Sequence, residues 1–185
     1  LGNQRPPTSQ WTVTGSGAAI LSKNGNGPFI THITPGKIVD KGIKDANNMG
    51  AAMAPAAFGT LITNLTDTGR KPSYYDAIIT GDLGHIGKSI LVDLAESKGY
   101  NIKHNYNDCG VLMFDQNSQD THSGGSGCAC IGTVFSGYFF KQLKEGKMNK
   151  ILLIATGALT NATTSQQGES IPGVAHAIAI ENSIL

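Results

Sequence analysis

His122-Ser-Gly-Gly-Ser-Gly-Cys-Ala-Cys-Ile-Gly132 packs glycine, hydroxyl and thiol residues into a turn that opens onto an apolar run, and that run reads as a helix over Ser126 to Lys144. A helix start with no side chains crowding it leaves backbone N–H donors and the positive end of the dipole facing a ligand. A close-packed turn that lets a helix approach a sheet accounts for the glycines equally well. Cys128 is a candidate nucleophile, because a thiol near a helix start can be held as the thiolate; the alternative is a small buried apolar residue.

Working outward, Lys150 to Ala155 reads as a buried strand and Val174 to Glu181 as a final one. Upstream, Tyr74 to Thr80 is a short apolar strand followed at once by a helix from Gly84 to Ser97 that ends at Gly99. Val111 to Phe114 reads as a short strand, and Asn47 to Leu65 as a helix that Pro55 kinks or splits. Trp11 to Leu21 and Phe29 to Val39, separated by Lys23-Asn24-Gly25-Asn26-Gly27, read as a β-hairpin. Strands alternating with helices predict an α/β fold, a mixed sheet covered by helices.

With 185 residues the chain is long enough for one domain with a real core. Its net charge of +1 and 15% charged residues lack the basic footprint of a nucleic-acid binder. No run of about 18 apolar residues is present, and residues 1–20 lack a signal peptide's basic start and apolar core, so a soluble, non-exported protein is expected. Cys109, Cys128 and Cys130 are an odd number, and the last two point apart on a helix, so reduced thiols are expected. The chain starts at Leu1 rather than at methionine, which suggests a piece of something longer.

Gly81-Asp82-Leu83-Gly84-His85-Ile86-Gly87-Lys88-Ser89 stands where a phosphate-binding loop belongs but has Asp82 in place of that loop's first glycine. The carboxylate would oppose a phosphate, which leaves a strand-to-helix turn with Lys88 solvated. His85, His104, His122 and His176 are candidate bases or ligands, yet no His-x-x-x-His or Cys-x-x-Cys pair sets up a metal site. Asp108, Asp115 and Asp120 lack the alternation and closing glutamate of a calcium loop and read as solvated carboxylates.

The order of these elements resembles the C-terminal half of the thiolase and ketoacyl-synthase superfamily. More narrowly, Arg5-Pro-Pro-Thr-Ser-Gln-Trp-Thr-Val-Thr-Gly-Ser-Gly, Pro35-Gly-Lys-Ile-Val-Asp, Asn48-Met-Gly-Ala-Ala-Met-Ala-Pro-Ala-Ala and Ser126-Gly-Cys-Ala-Cys resemble the family of stage V sporulation AD proteins. The resemblance implies a thiolase-like C-terminal βαβαβαββ half over 46–185. Residues 1–45 would be the end of the N-terminal half, with Trp11 to Val39 as its last two strands. Ketoacyl synthases place a catalytic histidine just after the strand at Tyr74–Thr80 and an asparagine before the next helix. Here those positions hold Gly81 and Ser126, which cannot polarise a thioester carbonyl in the same way.

The resemblance thus implies a non-catalytic protein without a cofactor that binds dipicolinic acid (pyridine-2,6-dicarboxylate) or its calcium chelate and aids its uptake into the forespore. The implied setting is the cytoplasmic side of the forespore inner membrane, peripheral to it. The implied partners are the N-terminal half, membrane proteins of the uptake system and a second copy of the chain. Ligand contacts are expected from Arg5, Gly81, Asp82, His85, His122, Ser126 and Cys128, in a cleft bordered by residues 81–85 and 122–128. The alternatives are an acyl-transfer enzyme that uses a cysteine of the other half with His85 or His122, and a purely structural subunit.

Overall fold

The computed structural model describes residues 4–184. Its centre is a five-stranded sheet of β2 (Phe29–Thr34), β7 (Gly173–Glu181), β6 (Lys150–Ala158), β3 (Ala77–Thr80) and β4 (Tyr106–Asp108), side by side in that order. β3 is parallel to both β4 and β6, while β7 is antiparallel to β6 and β2. A two-stranded parallel pair, β1 (Trp11–Thr12) with β5 (Gly125–Ser126), lies apart from it.

Side chains alternate across the central strands and supply two cores. Ile78, Leu152, Ile154, Ala175, Ala177 and Ala179 pack under α1 (Met49–Thr68) and α2 (Gly84–Ser97). Ala77, Ile79, Ile151, Leu153 and Ile180 face the opposite layer. That layer is α3 (Cys109–Met113), α4 (Cys128–Val134), a π-helical stretch Phe135–Phe139 and α5 (Phe140–Lys144). A further short helix, α6 (Ala162–Gln166), follows β6. The alanines of β7 let α1 approach closely enough for the Thr60 hydroxyl to donate to the Ala175 carbonyl at 2.7 Å.

The α/β architecture and the helix over Gly84–Ser97 are as expected, but four local readings change. The front hairpin does not form: Trp11–Thr12 pairs in parallel with Gly125–Ser126, and Phe29–Thr34 is the edge strand beside β7. Residues 29–34 are therefore integral with the sheet built from 46–185. Pro55 lies inside one unbroken twenty-residue helix, capped by the Asn48 side chain at its start and by Gly69 in the left-handed region at its end. Residues 111–113 are helical rather than extended, because Asp108 caps a helix there by accepting from the Val111 N–H. Tyr74 closes a 3-10 turn over Pro72–Tyr74, and the strand starts at Ala77.

Candidate functional site

From β3 the chain crosses one face of the sheet through α2 to reach β4, and it returns over the other face through α3 and α4 to β6. The two connections leave the carboxyl ends of β3 and β4 on opposite faces, and the carboxyl edge of the parallel strands is where open α/β sheets hold ligands. A cavity of about 330 Å³ opens there. Its polar wall is Asp82, Ser126 and Thr156, its apolar wall Met49, Met53 and Ile131, and Gly81, Gly127 and Cys128 border it. Of the two stretches expected to border a cleft, 81–85 and 122–128, residues 81–82 and 126–128 line this cavity.

Asp82 organises the cavity. One carboxylate oxygen accepts the Gly127 N–H at 2.8 Å, and the other accepts the Thr156 hydroxyl at 2.8 Å. The turn before α4 has therefore already committed a backbone donor to a carboxylate of the protein itself. Burial pushes the Asp82 carboxyl above its ordinary pKa, against the pull of these two hydrogen bonds. Thr156 also crowds Gly81: a Cβ at that position would stand 2.7 Å from the Thr156 hydroxyl oxygen.

Two residues that position this cavity carry no motif in the sequence. The Gln10 side-chain amide donates to the Asp82 carbonyl at 2.9 Å and to the Gly125 carbonyl at 2.8 Å, tying the two lining loops together. Asp108 is completely buried, which corrects the solvated carboxylate expected there. It accepts from the Thr80 hydroxyl and from the backbone N–H groups of Leu83, Gly84 and Val111. Desolvation raises its pKa to about 6 despite these donors. The loop that carries Asp82 is thereby fixed to the sheet and to the start of α2.

The remaining expected contacts lie elsewhere. Arg5 pairs with Asp120 at 2.8 Å and lies over the Trp11 ring. His122 adopts a positive φ of 50° in the turn; its ring Nδ1–H donates to the Pro6 carbonyl at 2.8 Å and Nε2 meets Asp120 at 3.1 Å. Both residues sew the N-terminal segment onto the 120–126 loop, and neither borders the cavity. His85, in the first turn of α2, does not border it either; desolvation and the nearby Lys88 lower its pKa. Lys88 is half-buried rather than fully solvated, donating to Asn107 at 2.9 Å. Cys128 is exposed at the cavity edge, whereas Cys109 and Cys130 are buried and burial pushes both thiols up.

Fold and cavity together define an α/β domain with a largely apolar crevice that bears one carboxylate, at the carboxyl ends of its parallel strands. The sequence matches the family model of Stage V sporulation protein AD over residues 1–181, so the chain belongs to that family. It is 43% identical over 182 residues to Stage V sporulation protein AD of Bacillus subtilis (strain 168), an alignment that covers 98% of this chain and 54% of that protein. The chain spans about half the length of this relative. Among solved structures, 3-oxoacyl-[acyl-carrier-protein] synthase III from Aquifex aeolicus VF5 aligns with a TM-score of 0.41 and 15% identity, covering 80% of this chain and 44% of that one. Among the described residues no helix is long and apolar enough to cross a membrane.

Proposed function

We propose that the complete protein is a non-catalytic, thiolase-like binding protein that holds dipicolinic acid or its calcium chelate in the cavity between Gly81–Asp82 and Ser126–Cys128. The observation that supports this reading is the crowding of the Gly81 position by Thr156: a Cβ there would stand 2.7 Å from that hydroxyl oxygen, so a side chain at residue 81 requires Thr156 to move. The cavity remains, lined by hydrogen-bonding groups and apolar methionines that suit a flat heteroaromatic ligand. Ser126, at the position where synthases carry asparagine, leaves the carbonyl-polarising pair incomplete.

In this reading the ligand is passed toward the forespore with membrane proteins of the same uptake system, and the N-terminal half supplies the facing wall of the cleft. A second copy of the chain is a further proposed partner. Titration calorimetry of the full-length protein tests the reading. Saturable heat with dipicolinate, alone or with calcium, is the expected result. No heat in either condition, or turnover of acyl-thioesters at the rate of a working synthase, would overturn it.

A further inference from the structure

Among the described residues, Asp82 is the only carboxylate that lines the cavity, and no lysine, arginine or histidine lines it. Its two oxygens sit where the oxygens of an anionic ligand would take the Gly127 N–H and the Thr156 hydroxyl. We propose that Asp82 is the charge-selecting residue of this cavity. It acts as a resident anion that turns away a free carboxylate and favours a ligand whose negative charge is masked by a bound cation or is absent. The inference rests on the binding function proposed above.

Three geometric facts support it. The carboxylate is anchored from two elements at once, the start of α4 and β6, so it does not swing aside without breaking both bonds. The peptide that bears it is held in turn by Gln10 on the Asp82 carbonyl and by Thr156, which accepts the Asp82 N–H at 3.2 Å. Neither Arg5 nor Lys88 offsets its charge, since Arg5 is paired with Asp120 and Lys88 donates to Asn107. A carboxylate that accepts one donor on each oxygen retains lone pairs for a further partner, and the partner that fits is a hydrogen-bond donor or an oxygen-seeking cation such as calcium. Like charges a few ångströms apart repel even in bulk water and more strongly in a partly dry cavity, so the discrimination is large enough to measure.

The test uses the full-length protein and its Asp82→Asn variant. Asparagine keeps the size, can still accept the Gly127 N–H, and can turn its amide toward Thr156, so the loop survives; a thermal melt checks this. Each protein is titrated with dipicolinate in the presence of a calcium chelator, with dipicolinate plus calcium, and with the uncharged analogue pyridine-2,6-dicarboxamide. The wild-type protein is expected to bind the chelate and the diamide more tightly than the free dianion. Asp82→Asn is expected to tighten the free dianion by roughly tenfold while changing the diamide much less. Equal dianion affinity in the two proteins, or weaker dianion binding by the variant, overturns the role of Asp82 and leaves the binding function standing. Absence of binding by either protein in all three titrations overturns the binding function and the charge selection with it.

Discussion

Gly50 of α1 and Gly87 of α2 touch backbone to backbone: a Cβ built on Gly87 would stand 2.8 Å from the Gly50 Cα, and one built on Gly50 would stand 2.4 Å from the Leu83 carbonyl oxygen. The two helices cross where neither carries a side chain, and this brings the start of α2, with the 81–84 loop, against α1. Gly50→Ala forces the helices apart, and overpacking of this kind costs about 1–3 kcal/mol. Gly59, on the same helix, has open space around it, and Gly59→Ala is expected to be neutral or stabilising by about 0.5–1 kcal/mol. Thermal denaturation of the two variants should move in opposite directions, and a similar loss in both would contradict the crossing.

Asp108 gives the fold a pH dependence of definite sign. Its carboxyl has a folded pKa of about 6 against an ordinary value of 3.8, so between these two values the folded chain holds a proton that the unfolded chain has released. Stability from this group is greatest below the unfolded value and is lost as pH rises from about 4 to about 6, by a few kcal/mol at most. Asp108→Asn removes the titration and also leaves one of the Leu83, Gly84 or Thr80 donors without its acceptor, which costs about 1–3 kcal/mol. Urea denaturation as a function of pH is the measurement: the wild-type curve should fall across this window relative to the variant's.

A second buried carboxylate acts the opposite way. Glu181, at the end of β7, is 2% exposed, accepts from Arg70 at 2.9 Å and from the Tyr74 hydroxyl at 2.8 Å, and also accepts from Thr31 of the edge strand. These partners hold its carboxyl below the ordinary value even though burial alone would raise it. The stability it supplies is present above the unfolded pKa and is lost as pH falls through the folded one. Glu181→Ala strands Arg70 between the rings of Tyr74 and Tyr75 and is expected to cost about 3 kcal/mol. Glu181→Gln, which retains hydrogen bonding, should cost less, and chemical denaturation of the pair reads the difference.

Where local pattern and tertiary pairing agreed, the fold was legible: α2 and the strands β6 and β7 carry their own apolar runs and stops. The front of the chain was not legible, because Trp11 and Phe29 seek partners more than 100 residues away, at Gly125 and Glu181, and the glycine-rich break between them imitates a hairpin turn. Gly81, Asp82, Ser126 and Cys128 could be read from the two turns that meet at the cavity. Arg5 and His122 could not be excluded from it, since their engagement with Asp120 and Pro6 depends on how the N-terminal segment lies across the loop. Asp108 was missed because Asn105 and Asn107 just before it are polar. Its one signal is its place directly before the apolar run Cys109 to Phe114, where an aspartate caps a helix.

The Gly81–Thr156 contact offers a test between the proposed binding cavity and a dormant active site. If the Thr156 hydroxyl fills the space that a side chain at position 81 would occupy, Gly81→His in the full-length protein should lower stability by about 1–3 kcal/mol and should confer no condensation of acyl-thioesters. Pairing it with Thr156→Gly removes the crowding hydroxyl, so the double variant should regain part of the lost stability. Removal of that hydroxyl also takes a donor from Asp82, so full recovery is not expected. On the proposed reading, in which Ser126 replaces the second carbonyl-polarising group, condensation should remain absent in the double variant, since loss of one such donor alone lowers rates by about a hundredfold to a thousandfold. Thermal melts and a thioester assay on the wild type and both variants read these outcomes. Unchanged stability of Gly81→His would show that residue 81 has room to spare, and the structural case against a catalytic histidine would fall.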